Sequence, residues 1–245
     1  MEFGDPIGKA ILDYVKTNKP DDIIVSSEIC EDDIIPIEVL FRTLEEMPEL
    51  EVFAIKKASG KVLDVGAGAG VHALEMKKNG CDVLAIDISK GAIEHLKTKG
   101  LNVQHIDFFD LKDQKFDTIT MLMNGIGIAG SLSNLEKTLE HAKSLLNPGG
   151  KILCDSCDIR YLYEDEDGAL WVNLNTEYYG NFRFQMSYKK EKTDWFDWLY
   201  VDFDSLFNAA SKVGLKTTRV FEQDDNYLAE ITLWLIINAW FLMFD

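Results

Sequence analysis

Basic residues and cysteines are scarce in this chain of 245 residues, and long apolar runs are missing. Only 25 lysines and arginines stand against 42 aspartates and glutamates, for a formal net charge of -17. Duplex nucleic acid is therefore not expected as the main partner, because it is bound through basic side chains that neutralise phosphates. The longest apolar run, residues 233–244, is shorter than the roughly 20 residues that span a membrane. Because the acidic N-terminus shows no export signal, we expect a cytoplasmic protein with no membrane segment.

The four cysteines are too few for a disulfide scaffold. Cys154 and Cys157 form a lone C-x-x-C pair at the end of a predicted buried strand, and no second pair completes a metal site. We therefore expect structural thiols and no bound metal.

The first 59 residues have the pattern of a helical cap. Asp5 and Pro6 provide an N-cap and a proline at the first helical position, and the apolar residues that follow fall on one helical face. Pro36 and Pro48 open two further helical patterns, after an acidic, isoleucine-rich stretch that we interpret as a loop. The cap is predicted to cover residues 1–59 and to need a partner surface.

From residue 60 onward, short apolar runs alternate with helix-period segments, a pattern typical of a doubly wound α/β fold with a parallel sheet. An aromatic-rich stretch with alternating polar and apolar residues at 181–188 indicates an antiparallel hairpin inserted into this fold. The second domain is predicted to cover residues 60–245, with the insertion at about 159–203. The predicted strands lie at residues 62–65, 83–86, 103–106, 118–123, 151–154, 215–221 and 228–236.

A glycine-rich turn, G-A-G-A-G at residues 66–70, lies directly between a predicted strand and a predicted helix. Such a turn lets a ligand approach the backbone closely. Three carboxylates accompany it: Asp64 two positions before the turn, Asp87 at the end of the second strand and Asp107 at the end of the third. A carboxylate in the position of Asp87 accepts hydrogen bonds from both ribose hydroxyls, which suits any adenosine cofactor.

The spacing of the turn separates two classes of adenosine cofactor. The pattern is G-x-G-x-G, one residue short of the dinucleotide pattern G-x-G-x-x-G. Asp64 would repel phosphates but is able to hold an ammonium group. An adenosine joined to an amino acid therefore fits better than a dinucleotide. An NAD-dependent oxidoreductase and a non-catalytic cofactor-binding module remain alternatives.

In these motifs the chain resembles the class I S-adenosylmethionine-dependent methyltransferases. The matching segments are residues 62–70, 84–89, 105–108, the strand from 116 that reaches Asn124, and the N-P-G-G turn at 147–150. The resemblance implies a doubly wound, mostly parallel sheet of seven strands whose antiparallel last strand lies between the fifth and the sixth. It also implies S-adenosylmethionine as cofactor and S-adenosylhomocysteine as product.

The resemblance further implies a role for each motif residue. No general base is implied, since the sulfonium leaves as a neutral thioether, and the catalytic residues stay unassigned. Asn124 is the best candidate for orienting the acceptor. The implied cofactor-binding residues are Asp64, Gly66, Ala67, Gly68 and Gly70 for the methionine part, Asp87 for the ribose, Ile88, Asp107 and Phe108 for the adenine, and Asn124 near the sulfonium.

The acceptor pocket should be roofed by the helical cap and the aromatic insertion. Residues 123–127 lack the N/D-P-P-Y/F motif usual in family members that methylate nucleobase amino groups, so a small-molecule acceptor is expected, with a protein acceptor as the alternative. Aromatic rings would hold a cationic amine or stack on a flat acceptor, although packing of the hairpin also explains them. The candidate substrate-binding residues are Asn124, Tyr161, Tyr163, Trp171, Tyr178 and Tyr179.

Apolar residues continue beyond the last predicted strand, from 238 to 244. A patch of this kind indicates a partner surface. We expect this tail to pack on the N-terminal helices or to form a homodimer.

Overall fold

The computed structural model describes residues 4–19, 21–163 and 178–234. Its helices are α1 (Pro6–Thr17), α2 (Glu49–Lys57), α3 (Val71–Lys78), α4 (Lys90–Thr98), α5 (Leu132–Ser144) and α6 (Phe203–Lys212). Its strands are β1 (Ile23–Ser27), β2 (Asp33–Ile35), β3 (Lys61–Val65), β4 (Asp82–Asp87), β5 (Asn102–His105), β6 (Phe116–Met121), β7 (Leu146–Cys157), β8 (Asn181–Tyr188), β9 (Glu191–Lys192), β10 (Phe196–Leu199), β11 (Leu215–Gln223) and β12 (Asn226–Leu233). Short 3-10 helices lie at Ile37–Phe41, Leu44–Glu46, Phe108–Asp110, Gly125–Ala129 and Ile159–Tyr163.

The main sheet has seven strands in the order β11-β12-β7-β6-β3-β4-β5. Strands β3 to β7 pair in parallel, and β12 lies antiparallel between β7 and β11. This arrangement confirms the predicted doubly wound sheet and the position of its antiparallel last strand. Val62, Leu63 and Val65 of β3 are all buried, as expected for a strand that helices cover on both faces.

Helices cover the two faces of this sheet with separate apolar cores. On one face Leu139 of α5 and Leu206 of α6 are buried. On the other face Ile55 of α2, Met76 of α3 and Leu96 of α4 are buried. In a sheet of this kind the crevice for ligands lies at the carboxyl ends of the parallel strands, which here are β3 to β7.

A second, antiparallel sheet has the order β10-β8-β1-β2, with β9 paired to β8. The predicted hairpin insertion is confirmed in β8 and β10, where Phe184 pairs with Phe196. The interpretation of the isoleucine-rich stretch as a loop is wrong, because this stretch forms β1 and β2. Its β-branched residues favour strands, and its partner β8 comes from the distant insertion, with Ile24 opposite Ser187. The domain division at residue 59 stays a prediction.

Helix α1 is fixed to α4 by one carboxylate. Asp5 Oδ1 accepts from the Gly8 backbone N–H at 2.9 Å, which is the predicted N-cap, while Oδ2 accepts from the Gly91 N–H at 2.9 Å and the Ser89 hydroxyl at 3.0 Å. The helices approach so closely that a Cβ on Gly91 would lie 2.6 Å from the backbone of Gly8. The N-terminal cap is thereby anchored beside the end of β4.

In the described ranges, no helix combines the length and the apolar character needed to cross a bilayer. Trp171 and residues 235–245, which include the apolar tail, lie outside those ranges. The homodimer through the tail therefore stays a prediction.

We expect Asp5→Ala to lower the free energy of unfolding by about 2 kcal/mol, because two helix N-termini lose a capping acceptor at once. Urea unfolding measures this change. Asp32→Ala, at an exposed position between β1 and β2, is the matched control. Equal stability of the two variants would contradict the double-cap role.

Candidate functional site

The glycine turn presents bare backbone at the end of β3. Gly66 and Gly68 have φ values of +70° and +56°, and no atom lies within 4 Å of a Cβ built on either residue. The backbone N–H groups of Gly66 and Ala67 both donate to the carbonyl of Ile86, at 3.0 and 3.1 Å. Gly70 differs, because a Cβ there would lie 2.3 Å from the side chain of Leu96, so its lack of a side chain serves packing against α4.

Asp87 braces this turn from the end of β4. Its Oδ2 accepts from the Gly68 N–H and its Oδ1 from the Ser89 N–H, both at 2.8 Å. Burial raises the pKa of the carboxyl, and the two backbone N–H groups oppose that rise. Each carboxylate oxygen keeps a lone pair for a ligand hydroxyl. The next side chain, Ile88, is 71% exposed and offers an apolar surface at the same edge.

Asp64 lies under the glycine turn with one oxygen unpaired. The residue is 2% exposed, and its Oδ1 accepts from the Thr120 hydroxyl at 2.8 Å. Its Oδ2 is buried without a hydrogen-bond partner among the described residues. Burial raises the pKa of this carboxyl. An acceptor of this kind calls for a donor from a ligand, since buried polar groups are rarely left unpaired.

Arg42, Glu51 and His72 form a buried chain of contacts beside Asp64. Glu51 Oε2 lies 2.5 Å from His72 Nε2, and Arg42 Nη2 donates to Glu51 Oε1 at 2.5 Å. Burial alone would raise the pKa of Glu51, but the contacts with His72 and Arg42 outweigh it and lower that pKa. Arg42 Nε is a buried donor without a partner in the described part of the chain. These residues come from separate elements, and our sequence reasoning missed them.

Asp155 at the end of β7 is a further residue that sequence reasoning missed. Its Oδ2 accepts from the Asn124 N–H at 2.9 Å, while its Oδ1 is buried and unpaired among the described residues. Burial raises the pKa of this carboxyl to about 7. A signal was available, because Asp155 directly follows the predicted strand at 151–154, just as Asp87 and Asp107 directly follow theirs.

Asn124 follows β6 in a left-handed conformation, with φ +56° after Met123 at +59°. Its Oδ1 accepts from the Ser156 hydroxyl at 2.7 Å, and its Nδ2 donates to the Leu199 carbonyl at 3.3 Å. The structure thus places Asn124 at the predicted edge, with its amide bound to neighbouring segments.

The two residues at the end of β5 that were predicted to contact the adenine differ in exposure. Asp107 is exposed and its Oδ1 accepts from the Phe109 N–H at 2.8 Å. Phe108 is 4% exposed, with its ring edge on His141 at a centroid distance of 4.8 Å. The 3-10 turn points Phe108 into the core and leaves Phe109 41% exposed. Only the backbone of Phe108 is therefore available to a ligand, and the exposed ring is that of Phe109.

Three of the predicted substrate tyrosines form a network at the start of α6. The Tyr178 hydroxyl donates to Asp202 at 2.6 Å, that of Tyr179 to Asp158 at 3.0 Å, and that of Tyr163 to the Tyr179 carbonyl at 2.9 Å. Tyr161 stays 50% exposed. The hydroxyls of the network are used by the scaffold, which agrees with the packing interpretation of these rings.

The second sheet and α1 contact the ends of the main strands from above. Ala69 of the glycine turn packs in one cluster with Ile11 of α1 and Tyr188 of β8. A Cβ on Gly127, in the turn after β6, would lie 2.3 Å from the indole of Trp198 in β10. Elements of the predicted cap and insertion thus pack against both turns, and their role as a roof over the acceptor pocket stays a prediction.

Comparison with known proteins identifies the family. Residues 38–218 match the model of a methyltransferase domain. The fold also matches the crystal structure of an S-adenosylmethionine-dependent methyltransferase from Bacteroides fragilis in complex with S-adenosyl-L-homocysteine, with a TM-score of 0.88, 43% identity and 94% and 95% of the two chains covered. The chain belongs to the S-adenosylmethionine-dependent methyltransferases. Its cofactor is S-adenosylmethionine, and the NAD-dependent alternative is set aside.

Curated methyltransferases give shorter matches. A cypemycin N-terminal methyltransferase from a Streptomyces species is 33% identical over 40% of this chain and 42% of its own length. A ubiquinone biosynthesis O-methyltransferase from Acinetobacter baumannii is 29% identical over 46% of this chain and 52% of its own length. The chain thus spans about half the length of these relatives.

We expect Asp155→Asn to stabilise the fold more at about pH 8.5 than at about pH 5. The pKa of Asp155 is raised to about 7 in the folded chain, above that of an unfolded aspartate. As the pH rises toward 7, the unfolded state loses this proton before the folded state does, so the free energy of unfolding falls. Asp155→Asn has no titratable carboxyl at this position and does not lose stability in this way. The difference in free energy of unfolding between the variant and the unmodified chain should therefore grow by about 2–3 kcal/mol between the two pH values.

Urea unfolding at both pH values measures the difference. Asp113→Asn, at an exposed loop position before β6, is the control and should show no such trend. A pH-independent effect of Asp155→Asn would contradict the buried-carboxylate interpretation.

Proposed function

We propose that this chain transfers the methyl group of S-adenosylmethionine to a small-molecule acceptor at the carboxyl edge of the main sheet. The observation that supports it is a pair of buried polar atoms at that edge, one acceptor and one donor, for which the described residues provide no hydrogen-bond partner. Among the described residues, Asp64 Oδ2 is a buried acceptor without a donor, and Arg42 Nε is a buried donor without an acceptor. The ammonium and the carboxylate of the cofactor's methionine part supply both missing partners.

The residues present fit the rest of the cofactor as well. Gly66 and Gly68 leave open space where side chains would stand, so the methionine part lies against the backbone of the turn. Asp87 binds the ribose hydroxyls through its remaining lone pairs, and the exposed Ile88 covers one side of the adenine. Asp107 and the backbone of Phe108 bind the polar edge of the base. Asn124 positions the turn next to the methyl group.

The bound cofactor supplies the reactive methyl group on a sulfonium, which is a good leaving group. The protein's own contribution is alignment of the acceptor, an effect worth roughly 7 to 11 kcal/mol in well-oriented reactions. The packing of Trp198 against Gly127 and of α1 against Ala69 supports this role, because it holds the insertion and the cap close to this edge. A roofed crevice favours a small acceptor over a folded protein, and a binding-only module is the remaining alternative.

We expect Asp87→Asn to weaken S-adenosylhomocysteine binding about 10- to 100-fold, because charge-assisted hydrogen bonds to the ribose and the brace on Gly68 are lost. Titration calorimetry measures the affinity. Asp82→Asn is the matched control, since Asp82 is exposed at the opposite end of the same strand.

The same samples test the reaction with a labelled methyl donor. Label should move into low-molecular-weight metabolites of a cell extract and not into its proteins. Failure to bind S-adenosylhomocysteine would contradict the proposed site, whereas binding without transfer would leave the binding-only module as the function.

We expect Arg42→Gln to weaken S-adenosylhomocysteine binding by about tenfold while leaving 5'-methylthioadenosine binding unchanged, because the second ligand lacks the amino acid carboxylate. Arg183→Gln is the control, since Arg183 forms an exposed ion pair with Glu28. An equal loss for both ligands would mean that Arg42 only supports the fold.

A further inference from the structure

A cavity of about 280 Å³ opens at the end of β7, next to the edge assigned to the cofactor. Three segments enclose it: the start of α2, the end of β7, and the turn between β11 and β12. Its lining residues are Pro48, Leu50, Glu51, Asp155, Gln223, Asp224 and Asn226. The volume suits a metabolite of modest size.

The polar part of this cavity is acidic. Glu51, Asp155 and Asp224 provide three carboxyl groups, and no lining residue among those described is basic. Glu51 already has an ion-pair partner in Arg42 and a hydrogen-bond contact with His72. Asp155, whose Oδ1 is buried, and the exposed Asp224 both lack an ion-pair partner in the described part of the chain. The lining therefore leaves the charges of these two carboxyl groups uncompensated.

Asp155 is also held in place by a residue at the proposed cofactor edge. The Asn124 N–H holds its Oδ2 at 2.9 Å, which fixes the carboxylate beside the turn at the end of β6. Its Oδ1 is fully buried and lacks a donor among the described residues. A buried, unpaired carboxylate oxygen beside a cavity indicates a ligand that brings a hydrogen-bond donor.

We propose that this cavity receives a small molecule with a primary or secondary amine, and that Asp155 binds its ammonium group and accepts a proton from it. The proposal rests on the function proposed above and names its substrate class. An ammonium nitrogen has no lone pair, so a proton must first pass to the Asp155 carboxylate. The freed lone pair then forms the bond to the methyl carbon, and the electron pair of the broken bond stays on sulfur.

An alcohol fits this cavity less well than an amine. A hydroxyl would also donate to Asp155 Oδ1, but it carries no charge to compensate the acidic lining. A carboxylate would be repelled by Asp155 and Asp224. Amine selectivity over alcohols is therefore the property that sets this proposal apart.

The test uses the full chain saturated with S-adenosylhomocysteine. Calorimetric titrations compare benzylamine with benzyl alcohol, cyclohexylamine with cyclohexanol, and butylamine with 1-butanol. We expect at least one amine to bind about tenfold or more tightly than its alcohol. Asp155→Asn should remove that preference and leave the affinity for S-adenosylhomocysteine within about twofold. Asp113→Asn serves as the control of equal chemistry.

A pH series supplies a second readout. Amine affinity of the unmodified chain should rise between about pH 5.5 and pH 8, because Asp155, with a pKa of about 7, must be ionised to hold an ammonium. Glu51, His72 and Asp224 also face this region, and all three are unchanged in Asp155→Asn. If Asp155 causes the rise in amine affinity with pH, this variant should lack that rise.

Each outcome decides the proposal. Alcohols that bind as tightly as amines, or an amine preference that survives in Asp155→Asn, would overturn it while the proposed function stands. A tenfold loss of S-adenosylhomocysteine affinity in Asp155→Asn would also overturn it, because Asp155 would then be a cofactor residue. Absence of S-adenosylhomocysteine uptake by the unmodified chain would overturn both proposals.

Discussion

Two hydrogen bonds to one carboxylate hold the functional edge in shape. Asp87 accepts from the N–H groups of Gly68 and Ser89, and so joins the glycine turn, the end of β4 and the start of α4. The glycines provide the left-handed conformations of the turn but no side-chain contacts that would fix it. The order of the turn therefore comes from the same carboxylate that we propose as the partner of the ribose. A ribose bound to Asp87 would therefore lie beside a turn whose conformation Asp87 already fixes.

Acidic groups accumulate at this edge at a cost to stability. Burial raises the pKa of Asp64, Asp87 and Asp155, which means that their charged forms are disfavoured in the fold. Perturbed carboxyls of this kind gather at functional sites, where a ligand compensates them. The contact chain from Arg42 through Glu51 to His72 brings positive charge to the same place. This distribution of charge supports the proposed binding of ligands that carry an ammonium group, with Arg42 as the proposed partner of a carboxylate.

The main sheet and the acidic strand ends were predictable, because they depend on patterns within single segments. The pairing of β1 with β8 was not, since Ile24 and Ser187 meet only in the folded chain. The Arg42 cluster joins three separate elements, and no local pattern marks it. The inward turn of Phe108 depends on a 3-10 helix that moves the exposed position to the next residue. Asp155 ended a predicted strand, and its burial was the part that the sequence did not reveal.

The pairing of β1 with β8 has a consequence for biosynthesis. Chains emerge N-terminus first, and β1 leaves the ribosome long before its partner strand has been translated. Until then β1 has only β2 to pair with, while the glycine turn and the parallel strands β3 to β7 have already been translated. Strands β3 to β7 precede β8 in the chain, so a nascent chain that carries the glycine turn still lacks the strand of the second sheet that packs against Ala69. The glycine turn is therefore covered by the second sheet only after residues 181–188 have been translated.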